Sequence, residues 1–205
     1  MKNFPNQIPI FPLSGVIYFP KTNLPLNIFE KRYLDLVNDS IKKDKLMGMI
    51  QSRNKSNDLY RVGCLGKISE FKRSEDGRIL INLTGITRFE ILDEKQNSKL
   101  YREFNVDYKK FISDLKVEQN PLQTSSLMSK AEIFFKKSGL LLNWKEFNKL
   151  NEIQKINTLS MIAPITNEEK QKLLESISLN DKIVVLEEII NFYLHDINLN
   201  NKTIQ

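Results

Sequence analysis

Residues 78–92 read RILINLTGITRFEIL, a β-branched and apolar run with one glycine near its centre. Before Gly85, Ile79, Ile81 and Leu83 alternate with a mixed set, Leu80, Asn82 and Thr84. After the glycine the apolar positions resume with a change of parity, at Ile86, Phe89 and Ile91. Alternation predicts a strand with one buried face, and a β-bulge at the glycine would produce the change of parity. The stretch therefore predicts a long, bulged strand, which is typical of a barrel-like sheet.

Strand-like segments surround this run throughout the first half of the chain. They are rich in β-branched and aromatic residues, and prolines near the N-terminus favour edge or barrel-corner strands. Asp76-Gly77 predicts a tight hairpin turn immediately before the long strand. The further predicted strands are 8–13, 16–20, 24–28, 47–51, 60–73 and 100–111.

The second half of the chain is predicted to be helical. Apolar residues recur near a 3.6-residue period over 125–142, 145–163, 168–177 and 181–195. Thr166 precedes Glu169 by three residues, which is the spacing of a capping box at a helix start. Residues 112–124 show no such period and are expected to form the linker. We therefore predict an α+β protein, with a barrel-like domain over residues 1–112 and a helical bundle over residues 113–205.

The stretch PLNIFEKRYLDL (25–36) is predicted to join a strand to a helix. Asn27 and Glu30 have the N-cap to N3 spacing, so the helix is expected to be capped by Asn27. Glu30 and Arg32 are two residues apart, so on a helix their side chains would diverge. Asp35, or a group elsewhere in the fold, is the expected partner of Arg32. For Glu30 and Arg32, a structural role and contact with a ligand both stay open.

The composition is ordinary for a soluble globular protein. A chain of 205 residues, 40% hydrophobic and 27% charged, can bury a core without a disulfide or a metal ion. Cys64 is the only cysteine in the sequence, which fits a reducing compartment. Prolines at positions 5, 9 and 12 argue against a signal peptide, and no apolar run is long enough to span a membrane. We expect a cytoplasmic protein.

The net charge of +6 is unevenly distributed. Residues 1–111 hold 20 Lys and Arg against 13 Asp and Glu, a net charge of +7, whereas residues 112–205 carry −1. An anionic partner would explain this asymmetry, and so would a lysine-rich solvated surface. The lysines are scattered, which favours the surface.

The sequence contains no complete motif for catalysis. No GxxxxGK[ST] phosphate-binding loop is present, and four Ser-x-x-Lys matches lack companion motifs. His195 is the only histidine, so no histidine metal cluster or Ser-His-Asp triad can form, and a helix C-terminal position is expected for it. Cys64 is expected to be a small buried apolar residue. We expect no enzyme, no cofactor and no metal ion.

Several ordered blocks resemble the LON substrate-binding domain, which is the N-terminal domain of ATP-dependent Lon proteases. They are IPIFPLSGVIYFPKTNLPLNIFEKRY (8–33), YRVGCLGKISEF (60–71), EDGR (75–78) and LTGITRF (83–89), and residues 163–190 are similar to the helical tail of stand-alone LON-domain proteins. The resemblance implies a PUA-like β-barrel followed by a helical bundle. It also implies kinship with a domain that, in full Lon, helps engage unfolded or degron-bearing polypeptides.

The first functional hypothesis is a non-catalytic, stand-alone LON-domain protein that binds polypeptide or a protein partner and is linked to proteolysis. The expected site is an apolar groove between barrel and bundle, with unpaired strand edges available to an added strand. The candidate peptide-binding residues are Phe29, Glu30, Arg32, Tyr33 and Arg88. A core position would also explain Tyr33, and a structural ion pair, for example with Glu30, would explain Arg88.

The alternative hypothesis is an RNA-binding PUA-like module that uses the basic first half. Its candidate residues are Lys67, Lys72, Arg73 and Arg78, with Arg88 as a further cation. Few aromatic residues are interleaved with these cations, although base stacking would require them. A small hydrolase ranks third.

Overall fold

The computed structural model describes residues 4–53, 58–116 and 123–202. The chain forms two compact units, residues 1–116 and residues 117–205. All strands of the described residues belong to the first unit, and the second unit is helical. The fold is therefore of the predicted α+β class.

The described residues of the first unit form six strands, β1 (Gln7–Leu13), β2 (Asn23–Ile28), β3 (Leu46–Gln51), β4 (Val62–Arg73), β5 (Ile79–Lys95) and β6 (Arg102–Asp107). These strands form one sheet. Hydrogen-bonded neighbours follow the order β2-β5-β4-β3-β1-β6, and β6 pairs in addition with the C-terminal part of β5. The pairing of β1 with β3 is parallel and the other pairings are antiparallel.

The predicted bulge in β5 is confirmed. The pairing of β5 with β4 skips Ile86, which lies between Gly85 and the next paired residue, Thr87. A Cβ atom on Gly85 would overlap the backbone carbonyl of Phe19 in the loop before β2. Glycine is therefore required here for the close approach of two backbones.

The predicted strand at residues 16–20 is wrong, because this segment belongs to the irregular loop between β1 and β2. Residues 17–20 of the loop are nevertheless buried, and Phe19 is 0% exposed. The backbone of the loop bonds to the bulge: the N–H of Lys21 donates to the Gly85 carbonyl at 2.9 Å, and the N–H of Gly85 donates to the Thr22 carbonyl at 2.9 Å. The apolar composition of this segment reports burial rather than pairing in a strand.

The predicted hairpin between β4 and β5 is confirmed. The N–H of Ser74 donates to the Arg78 carbonyl at 2.9 Å, and Gly77 has a φ of +86°. The predicted strand over 100–111 is shorter than expected, because β6 ends at Asp107 and a 3₁₀ segment, Lys109–Leu115, follows.

Helix α1 (Lys31–Lys42) covers one of the two apolar clusters of the sheet. Its buried residues Tyr33, Leu36 and Val37 pack there with Phe11 and with inward-facing residues of β4 and β5. Full burial of one large apolar side chain stabilises a fold by about 1.5–3 kcal/mol. This cluster holds the turn before α1 in place.

The end of the first unit lies later than residue 112. Phe111 is fully buried, and Asp114 binds Arg88 of β5. Residues 113–116 therefore pack with the strands, although the sequence analysis placed them with the helices. The division into two functional domains stays a prediction.

The second unit contains five helices over residues 123–202: α2 (Ser125–Lys137), α3 (Trp144–Phe147), α4 (Glu152–Ile162), α5 (Asn167–Glu175) and α6 (Leu179–Lys202). The predicted capping box of Thr166 and Glu169 is confirmed at the start of α5. The predicted helix over 145–163 is broken, because Asn151 and Gln154 form a second capping box that starts α4. The predicted helix over 125–142 ends early, at Lys137.

Candidate functional site

The short connection between β2 and α1, together with the first turn of α1, carries four of the five predicted peptide-binding residues. Asn27 belongs to β2, where it lies opposite Leu80, and α1 begins at Lys31. Glu30 is the N-cap, with an extended backbone (φ −72°, ψ 134°) and no side-chain capping bond. The predicted capping box of Asn27 and Glu30 is therefore wrong, because β2 continues through Asn27 and the helix starts four residues after it.

Glu30 and Arg32 form an ion pair. The Arg32 Nε and Nη2 atoms donate to Glu30 Oε2 at 3.0 and 2.8 Å. The prediction that the two side chains diverge was wrong, because that rule applies to two helical residues and Glu30 lies outside the helix. Asp35, the expected partner of Arg32, instead accepts a bond of 2.6 Å from Lys31.

Tyr33 is a core residue, as one of the two predictions for it stated. Its side chain is 8% exposed, and its ring meets the Phe11 ring edge-on at a centroid distance of 4.4 Å. The Arg32 guanidinium carbon lies 4.6 Å from the centre of the Tyr33 ring. Burial raises the pKa of Tyr33 above its ordinary value, and this effect exceeds that of the positive charge of Arg32, which lowers the pKa. The phenol therefore stays neutral at pH 7.

Phe29, Glu30, Arg32 and Tyr33 line one cleft with a volume of about 470 Å³. The end of β1 and the loop that follows it form another part of the wall. Phe29 is 65% exposed, so its ring stands at the surface of the cleft instead of packing on the helix face. Four of the predicted peptide-binding residues, which are neighbours in the sequence, thus line the same cleft.

Arg102 is a cleft residue that the sequence analysis missed. Its guanidinium donates to both oxygens of Glu94, at 2.7 and 2.6 Å, and these bonds hold the pKa of Glu94 below its ordinary value. Arg102 enters from β6, which lies beside β1 in the sheet. No local pattern could have identified Arg102, because its position depends on the order of the strands.

Arg88 does not belong to the cleft. Its Nε and Nη2 atoms donate to the two carboxylate oxygens of Asp114 at 2.9 and 2.7 Å, and its backbone N–H donates to the same carboxylate at 2.9 Å. The side chain is 3% exposed, and its guanidinium lies 4.3 Å from the centre of the Phe111 ring. The prediction of a structural ion pair for Arg88 is confirmed, but the suggested partner Glu30 is wrong.

The cations of the RNA hypothesis do not form one cluster of free charges. Arg78 pairs with Asp76 at 2.5 Å, and Arg73 donates to the Asn38 side-chain oxygen at 2.7 Å. Lys67 and Lys72 are exposed on β4, five residues apart, which corresponds to about 16 Å of strand. Lys67 lines a second cleft of about 640 Å³ whose other walls are largely apolar.

The remaining reactive side chains are placed as follows. Cys64 is fully buried, as predicted. His195 lies within α6, which continues to Lys202, so its predicted helix C-terminal position is wrong.

Over residues 4–53, 58–116 and 123–202, no cluster of His, Cys, Asp and Glu side chains is arranged to hold a metal ion. In the same ranges, no helix has the length and apolar character needed to cross a membrane.

The model of the ATP-dependent protease La (LON) substrate-binding domain family matches residues 7–191 of this chain. Among curated proteins, the Lon protease of Syntrophus aciditrophicus is 27% identical over 214 residues, which cover 97% of this chain and 26% of that protease. The Lon protease of Malacoplasma penetrans is 29% identical over 195 residues, covering 87% of this chain and 24% of the protease. The chain thus spans about a quarter of the length of these relatives.

Two solved structures share the fold. The Lon N-terminal domain protein from Xanthomonas campestris has a TM-score of 0.64 at 19% identity, with 88% of this chain and 96% of that chain covered. The N-terminal domain of the Lon protease from Mycobacterium avium complex has a TM-score of 0.59 at 15% identity, with 90% and 98% covered. The family match extends over most of the chain and confirms the resemblance found in the sequence. This chain belongs to the LON substrate-binding domain family.

Proposed function

We propose that this chain binds unfolded or degron-bearing polypeptide in the cleft formed by Phe29, Glu30, Arg32, Tyr33 and Arg102. Membership of the LON substrate-binding domain family supports protein substrates as the general class of ligand. The single observation that carries the proposal is a cleft lined by the exposed Phe29 ring and by the guanidinium groups of Arg32 and Arg102, which come from distant parts of the sequence.

The chemistry of the cleft suits a polypeptide of variable sequence. Phe29 offers an exposed aromatic surface, whose burial by an apolar side chain would be favourable. Arg32 and Arg102 add two guanidinium groups that are already oriented by Glu30 and Glu94. A volume of about 470 Å³ accommodates a few side chains rather than a folded domain.

The finer parts of the proposal concern the whole chain. We infer that the first unit is a PUA-like β-barrel, which the pairing of β6 with both β1 and β5 supports. We further infer a non-catalytic, cytoplasmic protein that is linked to proteolysis. The groove between barrel and helices that the sequence analysis expected stays a prediction.

RNA binding is the second candidate function, because the first 111 residues carry a net charge of +7. The two candidates differ in their response to salt. RNA held by several phosphate contacts loses affinity with a log–log slope of about −0.7 per contact. Polypeptide held by apolar burial does not show that dependence.

Isothermal titration calorimetry at 50 and 300 mM NaCl separates the two functions. The polypeptide probe is reduced lysozyme with carboxamidomethylated thiols, which cannot refold. This probe is cationic, as is the protein, so electrostatic attraction between the two cannot be mistaken for binding in the cleft. A mixed-sequence single-stranded RNA is the second probe. We expect polypeptide binding of similar affinity at both salt concentrations. Steeply salt-dependent RNA binding without a polypeptide signal would overturn the proposal.

A further inference from the structure

Strand β2 has one edge that no described strand covers. It pairs with β5 along its whole length and with no other strand of the described residues. Such an edge presents backbone donors and acceptors that another extended chain can bind. The direction of the backbone groups of β2 and the exposure of its side chains determine what can bind there.

The register shows which backbone groups of β2 point to the open edge. In an antiparallel pair, residues alternate between those that bond to the partner and those that point away from it. The N–H of Gly85 donates to the Thr22 carbonyl at 2.9 Å, which places even-numbered residues of β2 toward β5. Pro25, which has no N–H, falls in the opposite, outward-pointing set, as expected.

The bonding on the far side of β5 supports the same assignment. The N–H of Ser74 donates to the Arg78 carbonyl at 2.9 Å, so in the part of β5 before Gly85 the even-numbered residues bond to β4. Odd-numbered residues of β5 therefore bond to β2, and their partners are Leu24, Leu26 and Ile28. The backbone groups of Asn23, Pro25 and Asn27 point to the open edge.

The side chains along β2 leave the outward-pointing positions accessible. Leu24 and Leu26 pack against the core and Ile28 is 2% exposed, whereas Asn23, Pro25 and Asn27 are exposed. The edge therefore carries two N–H donors, at Asn23 and Asn27, about 13 Å apart, with only a carbonyl acceptor between them at Pro25. Proline limits long, irreversible pairing of such an edge. A short extended segment can still form backbone hydrogen bonds with the residues before and after Pro25.

The open edge is continuous with the cleft. Asn27 and Ile28 line the cleft, and Phe29 follows directly. An extended segment bound to the Asn27 backbone would therefore place neighbouring side chains beside Phe29 and Arg32. Main-chain hydrogen bonds do not depend on sequence, which suits a site for polypeptides of many sequences.

We propose that unfolded polypeptide binds this protein as an added β-strand on the open edge of β2, through the backbone of Asn23, Pro25 and Asn27. This inference rests on the proposed function, since it names the way in which the polypeptide is held. The occupant is an extended segment of another polypeptide, because the two N–H donors of Asn23 and Asn27 and the carbonyl groups of the same edge complement an extended backbone.

Proline substitution at Asn27 tests the outward-pointing N–H. Asn27→Pro removes that donor without removing a bond to β5, and Leu24-Pro25 shows that the strand accepts proline after leucine at an outward position. Asn27→Ala is the matched control, since it removes the same side chain and keeps the N–H. We expect Asn27→Pro to bind the unfolded lysozyme probe at least about fivefold more weakly than Asn27→Ala does.

Amide hydrogen exchange in the wild-type protein, followed by NMR, gives a second measurement that needs no variant. Saturating lysozyme probe is expected to slow exchange at Asn23 and Asn27 at least about tenfold. Equal affinities of the two variants, or unchanged exchange at both amides with probe bound, would overturn this inference alone. Failure of the wild-type protein to bind the probe would overturn the proposed function as well.

A second copy of this chain is the competing occupant. Slow exchange at Asn27 in the absence of probe, together with a dimer in sedimentation equilibrium, would assign the edge to self-association and overturn the inference. A monomer whose two amides become protected only on addition of probe supports it.

Discussion

At the scale of single residues, Arg88 and Asp114 form an enclosed ion pair that ties the 3₁₀ segment to β5. Both side chains are largely withdrawn from water, at 3% and 10% exposure. The carboxylate accepts bonds from the guanidinium and from a backbone N–H. The contact fixes the end of the first unit, so its loss should be measurable as a loss of stability.

We expect Asp114→Asn to lower the free energy of unfolding of the first unit by about 3 kcal/mol, because the Arg88 charge would remain buried without its counter-charge. Urea denaturation followed by circular dichroism measures the change. Asp76→Asn is the matched control, because Asp76 pairs with Arg78 at the exposed hairpin. Equal effects of the two substitutions would contradict the assigned role of the buried pair.

The sequence predicted the role of Arg88 but not its partner. Asp114 lies 26 residues away, in a segment without helical or strand periodicity, so only the fold could bring the two groups together. Glu30 and Arg32 show the opposite error. Their pairing is local, but it depends on an extended backbone at Glu30, whereas the sequence pattern was interpreted as helix from Asn27 onward.

At the scale of elements, the bulge in β5 was predictable because it changes the parity of apolar residues along one strand. The irregular loop at residues 16–20 was not predictable, because a buried loop and a buried strand can have the same apolar composition. The break in the predicted helix over 145–163 has a local sequence signal, which is a second capping box. Asn151 and Gln154 have the spacing of a capping box, inside an apolar periodicity that continues across the break.

We expect Gly85→Ala to lower the free energy of unfolding by about 2 kcal/mol, because the new methyl group meets the Phe19 backbone rather than a flexible side chain. Thermal unfolding of the purified protein measures the effect. Lys72→Ala, at an exposed position of the neighbouring strand β4, serves as the control and should change the midpoint little. An unchanged midpoint for Gly85→Ala would show that the loop can move away from the bulge.

The helical unit should lose stability in acid partly through Glu152. The Glu152 carboxylate accepts a hydrogen bond of 2.8 Å from Lys155 and one of 2.5 Å from the Thr124 hydroxyl. These two bonds hold the pKa of Glu152 below its ordinary value of 4.5. A carboxyl whose pKa is lower in the folded state stabilises the fold fully above the unfolded pKa. That contribution is lost as pH falls through the folded pKa.

Glu152→Gln should therefore reduce the slope of stability against pH below about pH 4.5 and leave the slope near pH 7 unchanged. Urea denaturation at a series of pH values measures both slopes. Glu132→Gln, on α2 of the same unit, is the comparison variant. An unaltered acid slope in Glu152→Gln would contradict a native-state contribution from these two bonds.

At the scale of the whole molecule, the order of the strands creates the cleft. β6 lies beside β1 in the sheet, and the first turn of α1 contacts β1 through the rings of Tyr33 and Phe11. Residues from positions 11 to 102 thereby share one cleft. The sequence identified the local part of this site through its resemblance to the family, and it missed Arg102 because that residue is contributed only by the topology.

The affinity of the Phe29→Ala variant for unfolded, carboxamidomethylated lysozyme tests the central claim most directly. Phe29 is 65% exposed, so its truncation should leave the fold intact, and Leu92→Ala, at a 58% exposed position outside the cleft, is the matched control. We predict about tenfold weaker binding for Phe29→Ala and wild-type binding for Leu92→Ala, because a central aromatic contact carries about that share of binding energy. Wild-type affinity in both variants would contradict the cleft as the polypeptide-binding site.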